Sequence, residues 1–139
     1  MCKRNSIKRP NILILMTDQH SPVLMGPNQA WGVRTPNIDA IAREGVQFEN
    51  AYCASPICVP SRCSFMTGLY PHEHQTFDNG ASLPTNIPTF AHALTSEGYE
   101  TVLCARMHFN GQEIYHGFEK RLATDLNNPV EYAVPPATP

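Results

Sequence analysis

The sequence has no long hydrophobic run and no excess of basic residues. Its longest apolar stretch, residues 12–16, is far shorter than the roughly 20 residues that a membrane-spanning helix needs. Ten lysines and arginines stand against twelve aspartates and glutamates, so the formal net charge is −2 and no basic face is available for nucleic acid. We therefore expect no membrane insertion and no nucleic-acid binding.

The N-terminal residues also lack the pattern of a secretion signal. The basic residues before position 10 precede an apolar stretch that is too short for a signal core, and no small-residue cleavage site follows it. Five cysteines, an odd number in a chain without such a signal, argue against a complete disulfide framework. The expected location is the cytoplasm, unless a signal has already been removed.

A chain of 139 residues with 42% hydrophobic residues is long enough for one modest domain. Four of its 13 prolines fall in the last eleven positions. We therefore expect a folded part over residues 1–126 and an irregular, proline-rich tail or truncation point over residues 127–139.

Short apolar runs alternate with amphipathic segments along the chain. Buried strands are predicted at residues 12–16, 46–52 and 101–105. Helices are predicted after Thr35, with Pro36 at the first helical position and a stop at Gly45, and over residues 60–67 and 88–97, each of the latter ended by a glycine. Strands separated by helices predict an α/β layered fold with a parallel sheet, in which ligand groups gather at the carboxyl ends of the strands.

The densest group of chemically active residues is the run Cys58-Val59-Pro60-Ser61-Arg62 at the predicted start of a helix. Helix N-termini favour anions, and a cysteine there can be reactive. A structural role in the core is the competing interpretation for Cys58. Three other cysteines are expected to be small buried hydrophobic residues: Cys53, Cys63 and Cys104.

The order of these residues resembles the signature of the type I sulfatases, Cys-x-Pro-Ser-Arg followed by a short helix and Thr-Gly. The segments at 9–18, 35–39 and 45–52 are similar to that family's opening strand, first helix and second strand. Gly98-Tyr99-Glu100-Thr101 and the residues up to His108 resemble its second signature. The likeness covers residues 9–126, is closest to the choline-sulfatase-like branch, and implies the N-terminal part of an alkaline-phosphatase-like α/β fold.

The resemblance implies that Cys58 is the residue that a separate maturation enzyme oxidises to formylglycine. One hydroxyl of the hydrated aldehyde attacks the sulfur of a sulfate ester, and the second hydroxyl later expels the sulfate. A divalent metal, most simply calcium, activates this group, and the implied ligands are Asp18, Gln19 and residue 58. Many relatives carry a second aspartate where this chain has Gln19.

The resemblance also assigns roles to basic residues. Arg62 is expected to hold the nucleophile and to neutralise charge on the sulfate, and His108 to hydrogen-bond either group. Arg106 stands where the family usually has lysine, in Ala105-Arg106-Met107-His108 instead of Gly-Lys-x-His. Arg106 keeps the positive charge for substrate binding, but a planar guanidinium replaces the compact ammonium group of lysine. His72 and His74 are a weak candidate for a zinc pair, because positions i and i+2 in an expected loop do not share a helix face.

Three functional hypotheses follow. The first is a sulfuric ester hydrolase that cleaves a sulfate monoester of a small molecule or saccharide. The second is a phosphonate or phosphate monoester hydrolase of the same superfamily, since both substrates are tetrahedral oxyanions. The third is a truncated remnant without catalysis, because the family's further metal ligands lie downstream of the matched part. We expect the 139-residue chain by itself to be inactive.

Overall fold

The computed structural model describes residues 9–25 and 32–123 of the chain. The predicted domain boundary at residue 126 and the tail over 127–139 lie outside the described residues. The chain divides into two compact units, residues 1–50 and 51–139, and each is described by itself. Within the described ranges, no helix is long and apolar enough to cross a membrane.

The first unit contains a short 3-10 turn, Pro22–Leu24, and one α-helix, α1, Pro36–Glu44. The predicted start and end of α1 are confirmed: Pro36 is its first residue and Gly45 follows its last. The Thr35 hydroxyl donates to Asp39 Oδ1 at 2.9 Å across the first turn. An acidic side chain in the first turn also interacts favourably with the helix dipole.

The predicted strands at residues 12–16 and 46–52 are wrong for the described structure. Neither segment pairs with another strand, and their apolar side chains are exposed, with Leu13 81% and Phe48 79% accessible. A strand buried on both faces needs neighbours that supply backbone hydrogen bonds and cover its side chains. The described residues of this unit supply no such neighbour, so the apolar pattern alone does not produce a strand.

The described part of the second unit contains three helices and two short strands. Helix α2 spans Cys58–Thr67, α3 spans Pro71–His74, α4 spans Phe90–Ser96, and the parallel strands β1 and β2 span Val102–Leu103 and Lys120–Arg121. The residue pairs in register are Val102 with Lys120 and Leu103 with Arg121. The predicted strand at 101–105 is thus confirmed in its centre but is shorter than expected, and β2 was not predicted.

Helix α2 begins two residues earlier than the sequence pattern predicts. Pro60 therefore occupies the third helical position, not the first, and Cys58 is the first residue of the helix, not a residue just before it. The helix ends as predicted at Gly68, which has φ 73° and donates its N–H to Ser64 O at 2.8 Å. Glycine adopts this left-handed conformation without the steric cost that a side chain brings.

Both hydrophobic clusters of the described chain include residues of α2. One cluster joins Met66 to residues that follow it in the chain: Ala91, Leu103, Met107 and Phe109. The other joins Val59 and Cys63 to Leu83. Helix α2 therefore packs against α4, β1 and the segment after β1 through Met66, and its first turn is held by the second cluster through Val59.

Candidate active site

Cys58 is half-buried at the first position of α2. The residue before it, Ile57, is extended, donates its N–H to Ser55 Oγ at 3.3 Å and accepts from the Ser61 N–H at 3.0 Å. The side chain at 58 therefore stands at a sharp change from extended to helical backbone. Such a turn presents a residue at the end of a helix while the following turns anchor it in the core.

The first turn of α2 has few amides left for a ligand. The Val59 N–H donates to Asn79 Oδ1 at 3.0 Å, Pro60 has no N–H, and the Ser61 N–H is bonded to Ile57 O. The Cys58 N–H is the one remaining first-turn amide. The expectation that the helix N-terminus itself binds an anion is therefore limited to the dipole and this one donor, and side chains must supply the other contacts.

Arg62 lies one helical turn after Cys58, on the same face of α2. Its side chain is buried, with 8% of the residue accessible, and Nη1 donates to the backbone carbonyl of Arg106 at 2.8 Å. Met107 Sδ lies 4.0 Å from the same nitrogen. Arg62 therefore joins the first signature to the second through a charge-assisted hydrogen bond.

Arg106 and His108 contact each other directly. Arg106 Nη2 lies 3.1 Å from His108 Nδ1, and because a guanidinium only donates, Nδ1 must accept. A neutral imidazole with Nδ1 as acceptor carries its proton on Nε2, which can then donate to an oxyanion. Arg106 is exposed and His108 is half-buried.

The backbone of the second signature is unusual at two positions. Ala105 has φ 68° and His108 has φ 58°, both in the left-handed region that side chains rarely adopt. The family's usual glycine at position 105 fits this conformation without strain, which explains why a glycine is favoured there. The two turns bracket Arg106 and define where its side chain leaves the backbone.

Asp18 and Gln19 belong to the first unit, where they are consecutive exposed residues in a bend, with Gln19 at φ 49°. A carboxylate and an amide oxygen are suitable donors for a hard cation such as calcium. Residues 9–25 and 32–123 contain no cluster of three or more histidine, cysteine, aspartate or glutamate side chains that could hold a metal ion. The ligand set Asp18, Gln19 and residue 58 stays a prediction.

His72 and His74 lie in the one-turn helix α3, not in a loop as expected. His74 is fully buried, its Nε2 lies 2.9 Å from Ser64 Oγ, and its Nδ1 is bonded to the Thr76 hydroxyl. Burial lowers the pKa of this imidazole. Both ring nitrogens are occupied by protein partners, so His74 joins α3 to α2 and offers no nitrogen to zinc.

Among the described residues, the three cysteines other than Cys58 divide into a buried one and two exposed ones. Cys63 is 2% accessible, and burial raises the pKa of its thiol, as expected for a core residue. Cys53 and Cys104 are exposed, so their predicted burial is wrong. Cys53 follows the segment at 46–52 that forms no strand, and Cys104 directly follows the end of β1, so neither has a covering layer.

Two asparagines around the site were missed by sequence reasoning. Asn79 accepts from Val59, and Asn110 Nδ2 donates to Asn79 O at 2.7 Å and to Ala81 O at 2.9 Å. The run Asp78-Asn79-Gly80 is a recognisable turn signal. Nothing in one sequence shows which helix such a turn contacts, so these links become visible only in the structure.

Comparison with known proteins identifies the family to which the chain belongs. The family model described as Sulfatase matches residues 10–136. The chain is 44% identical over 118 residues to the choline-sulfatase of Rhizobium meliloti, covering 85% of this chain and 23% of that protein. It is 35% identical over 106 residues to the N-acetylglucosamine-6-O-sulfatase of Bacteroides thetaiotaomicron, covering 76% and 19%.

Solved structures agree with this assignment. A protein in complex with its substrate D-glucosamine-2-N,6-O-disulfate superposes with a TM-score of 0.75 at 34% identity, over 82% of this chain and 23% of that one. The phosphonate monoester hydrolase of Agrobacterium radiobacter gives a TM-score of 0.60 at 26% identity, over 65% and 21%. The chain belongs to the sulfatase family, and the predicted alkaline-phosphatase-like α/β fold is confirmed. It spans about a quarter of the length of these relatives.

Proposed function

We propose that this chain carries the nucleophile-bearing part of a sulfuric ester hydrolase. The observation that supports it most directly is the position of Cys58 at the start of α2, with Arg62 one turn later bonded to the backbone of Arg106. The two signature segments of the family are thereby joined by a buried contact. Family membership and the sulfatase relatives support the same chemistry.

The basic residues fit the tetrahedral, negatively charged sulfate group of an ester. Arg106 is exposed, and its planar guanidinium can donate two parallel hydrogen bonds to sulfate oxygens. His108 accepts from Arg106 Nη2 on Nδ1, and this tautomer places the ring proton on Nε2, where it is a donor. Arg62, with Nη1 bonded to the Arg106 carbonyl, places its positive charge one helical turn from residue 58.

We propose formylglycine at position 58 and one divalent metal, calcium, as the groups that complete the site. Asp18 and Gln19 would hold the metal together with residue 58, and oxygen donors of this type suit calcium. The metal would make the nucleophile more acidic and polarise the sulfate oxygens. A formylglycine-generating maturation enzyme is therefore a required partner, and the unmodified 139-residue chain is expected to show no turnover.

Phosphonate monoester hydrolysis is the second candidate. It is favoured by the structural likeness to the Agrobacterium enzyme. Phosphonate monoesters and sulfate monoesters both present a tetrahedral centre with one negative charge, so the same basic residues suit either ester. The sulfatase relatives at higher identity favour sulfate.

The proposal is tested by expressing the complete open reading frame that contains this sequence together with a formylglycine-generating enzyme. Mass spectrometry of the tryptic peptide measures conversion at position 58. Hydrolysis of 4-nitrophenyl sulfate is then compared with hydrolysis of 4-nitrophenyl phenylphosphonate. Faster sulfate turnover that disappears in Cys58→Ala supports the proposal. Converted protein that cleaves only the phosphonate ester selects the second candidate, and converted protein that cleaves neither contradicts both.

A further inference from the structure

We propose that Asn79 and Asn110 are positioning residues for the candidate active site. They act through Val59, which Asn79 contacts directly, and hold the first turn of α2 against the second signature. The geometric part of this inference stands on hydrogen bonds in the second unit. Its catalytic consequence rests on the proposed function.

The first step is the contact of Asn79 with the helix. Asn79 Oδ1 accepts from the Val59 N–H at 3.0 Å, twenty residues away in the chain. Val59 is 1% accessible and belongs to the core cluster with Cys63 and Leu83. Residue 58 directly precedes Val59, so the orientation of its peptide depends on this bond.

The second step is the support of the turn that carries Asn79. Asn110 Nδ2 donates to two backbone carbonyls of this turn, Asn79 O at 2.7 Å and Ala81 O at 2.9 Å. Both hydrogens of one carboxamide are therefore used on a single turn. Asn110 follows His108 by two residues, so the turn is attached to the end of the second signature.

Together with Arg62, these bonds attach the segment 106–110 to α2 at two points. Arg62 Nη1 holds Arg106 O at the start of the segment, and the two asparagines connect its end to Val59. A single attachment would leave the segment free to pivot. Two attachments fix the spacing between residue 58 and the ligand-binding side chains of Arg106 and His108, which is the geometry that catalysis needs.

Asn79 uses its side-chain oxygen as an acceptor towards α2, whereas Asn110 uses its side-chain nitrogen as a donor. The same substitution at the two positions therefore tests the inference. Asn79 acts towards α2 as an acceptor, so Asn79→Asp keeps the oxygen and adds a charge that a helix N-terminus favours. Asn110 acts as a donor, so Asn110→Asp has the same shape but loses both hydrogens and faces two carbonyl oxygens. The same substitution is thus expected to be tolerated at one position and harmful at the other.

The measurement is amide hydrogen exchange by NMR on the 139-residue chain. We expect Asn110→Asp and Asn79→Ala to raise the exchange rate of the Val59 amide by about tenfold or more, and Asn79→Asp to change it by less than about twofold. The Ala93 amide, which is bonded to Thr89 O at the start of α4, reports opening away from α2 and should not change. Asn86→Asp, at an exposed turn residue of the same unit, is the matched control.

Unchanged Val59 exchange in Asn110→Asp, or equal acceleration at Val59 and Ala93, would overturn the inference. If Asn110→Asp does not fold, the pair Asn79→Ala and Asn79→Asp decides it, because only the first loses the acceptor. In the matured enzyme, Asn110→Asp should lower kcat by about tenfold or more and change KM by less than about threefold, while Asn86→Asp changes neither. Absence of wild-type turnover would contradict the proposed function alone, since the exchange rates test the positioning role separately.

Discussion

Arg62 and Arg106 are joined by a hydrogen bond from a buried side chain to a backbone carbonyl, Nη1 to O at 2.8 Å. Two residues that the family pattern presents as ligands of one anion therefore also hold each other in place. A cation that is 8% accessible needs such an acceptor, because burying an unpaired charge is costly. The contact makes Arg62 a structural residue as well as a candidate catalytic one.

Replacing Arg62 with methionine is expected to destabilise the chain. The substitution keeps much of the apolar volume but removes the donor, leaving the Arg106 carbonyl without this partner. Hydrogen bonds to charged groups contribute about 1.5–3 kcal/mol, so we expect a decrease of about 2 kcal/mol in the free energy of unfolding, measured in urea. Arg43→Met on the exposed face of α1 is the control and should change it by less than about 0.5 kcal/mol.

Position 105 offers a substitution that is expected to stabilise the chain. Ala105 has φ 68°, and an alanine in this region costs roughly 1 kcal/mol relative to glycine. Glycine gains more freedom in the unfolded chain, which offsets part of that cost. We expect Ala105→Gly to raise the free energy of unfolding by about 0.5 kcal/mol.

The matched control for this prediction is Ala93→Gly in the middle of α4, where alanine is helical. That change should lower the free energy of unfolding by about 1 kcal/mol. Equal destabilisation by both glycines would contradict the assigned conformation at position 105.

Alanine substitutions at Gly117 and Gly68 distinguish the cost of steric crowding from the cost of backbone strain. Both have positive φ, 97° and 73°, but a Cβ at 117 would lie 2.5 Å from His92 Nδ1 and 2.6 Å from its backbone N, whereas a Cβ at 68 meets nothing within 4 Å. We expect Gly68→Ala to cost about 1 kcal/mol and Gly117→Ala about 3 kcal/mol or more. Thermal unfolding of the two variants measures the difference, and equal midpoints would be evidence against close packing of α4 on residue 117.

Parts of this architecture follow directly from the sequence. Both ends of α1 and the stop of α2 at Gly68 depend on local proline and glycine chemistry, and the order of the motifs identifies the family from Cys58 to His108. Strand β2 could not be predicted, because Lys120 and Arg121 form no apolar pattern and pair with β1 through the backbone alone. The strand at 12–16 fails for the opposite reason, since its pattern is clear but no partner strand is present among the described residues.

The candidate site likewise has one part that the sequence predicts and another part that it does not. Residue types and spacing identify Cys58, Arg62 and Arg106 as candidates through the family resemblance. The contacts that position them end on backbone atoms or on loop asparagines, as in the bond from Arg62 to Arg106 O and the one from Val59 to Asn79. Backbone acceptors are the same at every residue, so a sequence pattern cannot mark them.

We expect two buried histidines, His74 and His116, to make the stability of this chain sensitive to acid. Burial lowers the pKa of His74 and of His116 below the ordinary value of 6.5. Between the folded and unfolded pKa values the unfolded chain binds more protons, so the free energy of unfolding is constant well above pH 6.5 and falls as the pH drops below it. Glu113, whose pKa is held below 4.5 mainly by the His116 N–H, adds a further loss at lower pH.

Urea unfolding at a series of pH values from 8 to 5 measures this slope. His116 Nε2 has no hydrogen-bond partner among the described residues, and its ring packs against Phe109 with centroids 4.4 Å apart. His116→Phe should therefore keep the ring contact, preserve stability at pH 8 and make the slope below pH 6.5 smaller. His72→Gln, at an exposed histidine, should leave the slope unchanged. A slope that is the same in His116→Phe and in wild type would mean that His116 is not the titrating group.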